Sequence, residues 1–279
     1  MKNIFTAGII QMQSGVIVSK NLESAERLIC EAANNGAQIV FTPEMTPLLD
    51  KTPGRIEADA QTEHEDIALK HLKNLAKRLE IYIALGSAPI RRSSGHLVNR
   101  SYVISPKGQI VTSYDKIHMF DVDLPDGQRI RESEKYLAGE RPVICQTPLG
   151  DIGLSICYDI RFPHLYRDMC LAGAEILCVP SAFTKPTGQA HWHTLLRARA
   201  IENGAYVIAA AQGGKHQDGR ETFGHSLVVD PWGEIIFEAG DKPTYGIFEC
   251  DLSKVKKARA SIPNLSNIRD YLKPEVIEA

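Results

Sequence analysis

The sequence predicts an α/β fold in which mixed sheets bury one face against each other and carry helices outside. Two observations predict it. Short β-rich runs alternate with longer stretches whose apolar residues recur at helical spacing. That order also occurs twice, each half closing in a strand–turn–strand unit, as an approximately duplicated α/β unit would.

The first strand is expected near Thr6–Gln13 and the first helix over about Ser19–Asn34, where Leu22, Ala25, Leu28, Ile29 and Ala32 share one face. Ala37–Phe41 reads as a buried strand ending at Thr42-Pro43-Glu44. A helix over Glu63–Arg78 and a strand over Ile81–Leu85 follow. Ser101–Ile104 and Gln109–Tyr114 then flank the turn Ser105-Pro106-Lys107-Gly108, whose proline and glycine favour reversal.

The second half repeats the order with strand Ile152–Ile156, helix Pro163–Leu171, strand Glu175–Val179, helix Ala190–Asn203 and strand Ala205–Ala211. Its hairpin pairs His225–Val229 with Glu234–Glu238 around Asp230-Pro231-Trp232-Gly233. Asp121–Glu140 lacks periodicity and is expected to be a long surface loop. No Pro/Ser/Gly-rich linker separates the halves, so one domain over 1–279 is expected, with a C-terminal extension from about 252.

Of the 279 residues, 43% are hydrophobic and 24% charged, enough apolar material for a sizeable core. The 32 basic and 34 acidic residues are interspersed and leave a formal charge of −2, which offers no block for nucleic acid. No apolar run is long enough to span a membrane, and Met1–Phe5 leads into alternating apolar residues without a signal-peptide pattern. Six scattered cysteines contain no C-x-x-C pair, which suits reduced thiols and a cytoplasmic protein.

Three strand ends carry reactive side chains, and ligands of α/β proteins bind outside the carboxyl ends of strands. Cys157 follows Ile152–Ile156, where the positive end of the next helix would favour thiolate. Glu44 follows Pro43, which breaks strand pairing. Lys116 ends the first hairpin, where an ammonium can stabilise an oxyanion. Taken singly, each has a plainer reading as a core thiol, a solvated glutamate and an edge-strand lysine.

Together, the three segments resemble the Glu-Lys-Cys triad of the nitrilase superfamily of carbon–nitrogen hydrolases. The resemblance runs from Ala7–Met12 to Ile262-Pro263-Asn264, through Ser181-Ala182-Phe183, Arg197–Asn203, Gly224-His225-Ser226 and Asp230–Gly233. It implies a four-layer α-β-β-α sandwich, a homodimer and a reaction without metal or organic cofactor. It implies Glu44 as general base, Cys157 as nucleophile and Lys116 as oxyanion stabiliser. Glu132 is the best match to a further active-site glutamate, with Glu134 close by. The backbone N–H of Tyr158, and Phe183, are implied at the oxyanion and substrate site. The partner is then a small-molecule amide.

Within the superfamily, Ile156–Pro163 and Lys116–Asp121 are similar to the branch of deaminated-glutathione amidases and omega-amidases. Ala209–His216 resembles the deaminated-glutathione side more, which implies deaminated glutathione as substrate with 2-oxoglutaramate as the alternative. Both act on a 2-oxo-acid acyl group, so discrimination of the leaving group is expected from loops such as Phe183–Gln189 and Gln212–Arg220. A catalytically silent binding member is the alternative from another class. Arg161, Arg197 and Arg199 can grip a substrate carboxylate or pair with Asp159 and Glu202 structurally. His191 and His193 are two apart, a poor helical spacing for a metal pair. His193 also departs from the glutamate that many relatives carry after His-Trp.

Overall fold

The computed structural model of the protein describes residues 4–124, 127 and 129–277. The first half runs β1 (Ile4–Gln11), α1 (Val18–Asn34), β2 (Ile39–Phe41), α2 (Arg55–Asp59), α3 (Ile67–Leu79), β3 (Tyr82–Arg91), β4 (Leu97–Ile104) and β5 (Ile110–Asp115). A hairpin of β6 (Asp121–Asp123) and β7 (Arg129–Arg131) and a 3-10 turn at Glu132–Glu134 lead to the second half. That half contains β8 (Val143–Thr147), β9 (Gly150–Leu154), a 3-10 turn at Cys157–Arg161, α4 (Pro163–Leu171), β10 (Ile176–Cys178), α5 (Lys185–Asn203) and β11 (Tyr206–Ala209). The hairpin β12 (Gly213–Lys215)–β13 (Glu221–Phe223), then β14 (Leu227–Val229), β15 (Ile235–Glu238), β16 (Thr244–Asp251) and α6 (Ser253–Ser261) complete it.

Two six-stranded sheets result, ordered β16-β1-β2-β3-β4-β5 and β15-β14-β11-β10-β9-β8. In each, three parallel strands (β1-β2-β3, and β9-β10-β11) are flanked by antiparallel ones, which is the duplication the sequence suggests.

Side-chain alternation decides the layers, because successive strand residues point to opposite faces. In the first sheet Ala7, Ile9, Ile39, Phe41, Ala84 and Val103 join a core shared with Ile152, Leu154, Ile176 and Ile208 of the second. Their neighbours Ile10, Val40, Ile83, Leu85, Tyr102 and Ile104 instead pack with Leu28 and Ile29 of α1 and Leu69, Leu72 and Leu75 of α3. On the second sheet, a Cβ on Gly153 would meet Met169 of α4 at 3.0 Å, so that face carries helices. The order is helices, sheet, sheet, helices: the four-layer α-β-β-α sandwich.

Four expectations need correction. Asp121–Glu140 is not simply a loop, since it holds the β6–β7 pair and a 3-10 turn; strands of three residues are too short to show a period. Residues 125, 126 and 128 of that segment lie outside the described residues, as do 1–3 and 278–279. Helix α5 begins at Lys185 rather than Ala190, because Pro186 sits in the first turn, where a proline needs no N–H partner. The segment Phe183–Gln189 is therefore largely the start of a helix. At the C-terminus, α6 packs onto the body through Val255 and Ala258, with Arg259 donating to the carbonyls of Asn203 and Ala174. Asn264 still bonds Arg167 and the Glu202 carbonyl, and the continuous exposed run starts at Ser266.

Candidate active site

The carboxyl ends of β2, β5 and β9 meet where the two sheets face each other. After β2, Pro43 stops strand pairing and the chain coils through Glu44, with Met45 at φ 55°. This coil nests in β3, whose pairing with β4 slips by one residue between Leu85 and Ala88. In the resulting bulge the Gly86 N–H donates to Thr42 Oγ1 (3.1 Å) and Ser87 Oγ accepts from the Met45 N–H (2.9 Å). Only glycine fits there, since a Cβ on Gly86 would lie 2.1 Å from the Thr42 carbonyl oxygen.

Lys116 follows β5. Its N–H donates to the Asn99 carbonyl (3.0 Å), and the preceding Asp115 is held by Arg100 and Arg92. Cys157 follows β9 at φ 50°, a left-handed conformation unfavourable for a side chain with a Cβ. Its N–H donates to Pro180 O (2.9 Å), and Asp159 fixes the turn by accepting from Ile156 N, His118 N and Tyr114 OH. Asp159 thus ties the Cys157 turn to the segment that carries Lys116.

The side chains converge. Lys116 Nζ lies 3.2 Å from Glu44 Oε1 and 2.9 and 2.7 Å from the two Glu132 oxygens. Glu132, rather than exposed Glu134 on the same turn, is the carboxylate that reaches the lysine. Glu44 Oε2 accepts from the Ala182 N–H at 2.8 Å, and Glu132 Oε2 from the Phe120 N–H at 2.7 Å.

Burial opposes the Lys116 charge, but Glu132, then Glu44 and Cys157, hold its pKa well above the usual lysine value. Lys116 is therefore a fixed ammonium, and its Nζ fills the place between the carboxylates that a cation would take. Burial first, and the Glu44 charge second, push the Cys157 thiol well above its ordinary value, while Lys116 and the Ala182 N–H pull the other way. This corrects the expectation that the helix end favours thiolate: the short 3-10 turn does not outweigh desolvation. A neutral thiol beside the Glu44 carboxylate can pass its proton to it as the sulfur attacks.

Tyr158 follows Cys157 in the chain, and Phe183 follows Ala182, whose N–H holds Glu44. The Tyr158 ring packs edge-on against Phe120 and Phe162 at centroid distances of 5.0 and 5.4 Å. Phe183 lies 4.9 Å from Trp192. The Arg161 guanidinium carbon lies 5.9 Å from the Tyr158 ring centroid and 5.6 Å from that of Phe183. The other two arginines are structural: Arg199 is buried against Ile160 O and Glu202, and Arg197 donates to Gly233 O.

Sequence reasoning missed three contributors. Asn99 Nδ2 donates to Glu44 Oε1 (3.0 Å) and Glu132 Oε1 (3.3 Å). Gln212 Nε2 holds the Glu44 carbonyl at 3.0 Å. The buried Tyr136 hydroxyl lacks a hydrogen-bond partner among the described residues; burial, then the charges of Glu132 and Glu44, push its pKa well up. Nothing in the sequence singled out Asn99, since Arg100 and Ser101 beside it are polar as well.

Comparison with known proteins bears on the family and the fold. The sequence pattern of the carbon-nitrogen hydrolase family matches residues 6–260. A Synechocystis protein named deaminated glutathione amidase is 40% identical over 267 residues, covering 94% of this chain and 97% of that one. The crystal structure of the C. elegans NitFhit protein superposes with a TM-score of 0.90 at 37% identity, over 95% of this chain and 65% of that one. That of Saccharomyces cerevisiae Nit3, a member of branch 10 of the nitrilase superfamily, gives 0.85 at 28% identity over 93% and 94%. The chain belongs to the carbon–nitrogen hydrolase family.

Proposed function

We propose that the chain is a cysteine-dependent amidase that cleaves a small linear carboxamide through a thioester on Cys157. The observation that carries this is the Lys116 ammonium, within 3.2 Å of Glu44 and 2.7 Å of Glu132, beside a Cys157 thiol close enough to feel the charges of both Glu44 and Lys116. Glu44 takes the thiol proton as sulfur bonds to the amide carbonyl carbon. Lys116 and the Tyr158 N–H hold the tetrahedral oxyanion. Glu44 returns the proton to the leaving nitrogen as the C–N bond breaks, leaving the thioester. Water, deprotonated by Glu44, then attacks; the acid departs and Cys157 regains its proton. Glu132 fixes Lys116 in place throughout.

The preferred substrate is deaminated glutathione, cleaved to 2-oxoglutarate and cysteinylglycine, a repair reaction on a damaged metabolite. The name of the Synechocystis relative supports this. Arg161 supports the acyl half, since a guanidinium beside Tyr158 and Phe183 suits a carboxylate. The protein acts as a homodimer in the cytoplasm, where its six free cysteines stay reduced; light scattering giving a monomer would remove the dimer.

The test compares kcat/KM for deaminated glutathione and 2-oxoglutaramate, with mass spectrometry of the trapped enzyme. The expected result is a higher value for deaminated glutathione and an acyl adduct on Cys157. Equal or reversed ratios would move the substrate to 2-oxoglutaramate. Full turnover by a folded Cys157→Ala variant would refute the mechanism.

A further inference from the structure

A second cluster of reactive side chains lies on the helix side of the second sheet, and the proposed amidase chemistry does not use it. His193 comes from α5, His225 precedes β14 and Glu238 ends β15. Glu238 Oε1 is 2.9 Å from His193 Nε2 and 2.9 Å from His225 Nδ1. Among the described residues, this is the one group of three histidine, cysteine or acidic side chains whose ligand atoms all lie within 4.8 Å of one another. The expected weakness of a His191–His193 metal pair holds only for those two residues: His191 turns to Arg161, and the companions of His193 are remote in sequence.

We propose that His193, His225 and Glu238 form a binding site for one divalent transition-metal ion of the zinc class. Two imidazoles and a carboxylate make a donor set that zinc accepts, with water as the fourth ligand. His193 Nε2 and His225 Nδ1, the ring nitrogens that face Glu238 Oε1, are the atoms that would bond the ion. Uptake needs each imidazole neutral, with its remaining proton on the other ring nitrogen.

The surroundings hold the donors in place. His225 adopts φ 53°, a left-handed conformation that is unfavourable without restraint. The restraint is visible: its N–H donates to Gly240 O (2.9 Å), and its carbonyl accepts from Trp192 Nε1 (2.8 Å). Phe223 stacks on the His225 ring at 4.3 Å, and the bare face of Gly188 makes room for Phe223, since a Cβ there would come within 2.3 Å of it. His193 meets the same phenyl edge-on at 6.1 Å.

The cluster is also close to the amidase site. Phe223 N–H donates to the Phe183 carbonyl (2.9 Å), and Trp192 touches the Phe183 ring. Ala182, next to Phe183, holds Glu44. An ion on the cluster would pin α5 to β15 and stiffen the segment bordering Glu44.

The experiment uses the full-length protein, stripped with chelator and titrated with zinc chloride by calorimetry. A parallel titration with cobalt(II) is read by visible absorption. Cys157→Ala is included because a thiol also binds these metals. One zinc per chain is expected in wild type and Cys157→Ala alike, with cobalt bands free of sulfur charge transfer. Changes to outer partners alone weaken metal sites about 10–100-fold, so losing a ligand in His193→Gln or Glu238→Gln is expected to raise Kd at least about 100-fold. Circular dichroism melts check that each variant folds, and the cobalt spectrum of wild type stands without them. No uptake would reduce the cluster to a hydrogen-bonded triad and overturn the proposal. So would uptake lost only in Cys157→Ala, or unchanged in both folded ligand variants. None of these outcomes depends on whether the amidase reading holds.

Discussion

Asn99→Asp places a carboxylate where an amide now donates to two others, at 3.0 Å from Glu44 Oε1 and 3.3 Å from Glu132 Oε1. At an effective dielectric near 20, two like charges about 3 Å apart repel by about 5 kcal/mol, so the two contacts sum to about 10 kcal/mol. Lys116, which bonds the same Glu44 oxygen, returns about 3 kcal/mol of this at a separation of about 6 Å, leaving a net repulsion of about 7 kcal/mol. Protonating the introduced carboxyl at pH 7 costs about 4 kcal/mol, counted as three units above its ordinary pKa. The smaller figure wins, so the new carboxyl takes a proton and its pKa rises in the folded state. The sign follows from that rise: a group raised on folding favours the unfolded chain as pH climbs above its unfolded pKa. Urea unfolding of wild type and Asn99→Asp at pH 7, 6 and 5 is therefore expected to show a deficit of up to about 4 kcal/mol at pH 7. The deficit should shrink by about 1.4 kcal/mol per unit on acidification. A deficit under about 1 kcal/mol, or one flat with pH, would mean that Asn99 does not bridge the glutamates.

Lys116→Gln leaves two buried carboxylates without their cation; a stability loss of about 3–5 kcal/mol is expected from chemical denaturation. Any folded fraction should turn over about 100- to 1000-fold more slowly in a single-turnover assay. Gly86→Ala forces a Cβ to within 2.1 Å of the Thr42 carbonyl oxygen and 2.4 Å of the Pro43 carbonyl. Because backbone cannot yield as a side chain does, a loss of at least about 1–3 kcal/mol is expected, with kcat falling as Glu44 shifts; an unchanged melting temperature would refute the nesting. The Cys157 thiol is raised by burial and by Glu44, so the resting enzyme carries little thiolate at neutral pH. Its alkylation by iodoacetamide should accelerate steadily from pH 6 to 9, about tenfold per unit, and a plateau starting near pH 6 would show a preformed thiolate.

What the sequence made legible were features that act locally. Helix α1 announces itself because Leu22, Ala25, Leu28, Ile29 and Ala32 all bury on one face. Pro43, which ends β2, marks the strand end and so points to Glu44. Cys157 and Lys116 likewise stand one to three residues beyond strands whose own composition is plain. By contrast β16 went unseen, since Gly246 interrupts its apolar alternation; the Phe237 ring lies over the glycine, 2.2 Å from where a Cβ would stand.

Features that depend on register could not be read this way. The side chain of Asn99 meets both glutamates because the fold brings Glu44 and Glu132 to it from 55 and 33 positions away, and no property of Asn99 or its neighbours encodes that meeting. The same holds for His193, His225 and Glu238, which stand 32 and 13 positions apart. They meet because β14 pairs with β15 while α5 crosses above β14. In the sequence His193 is merely a histidine two places from another. The fold gives it a different partner, and with it a chemistry that helical spacing alone had argued against.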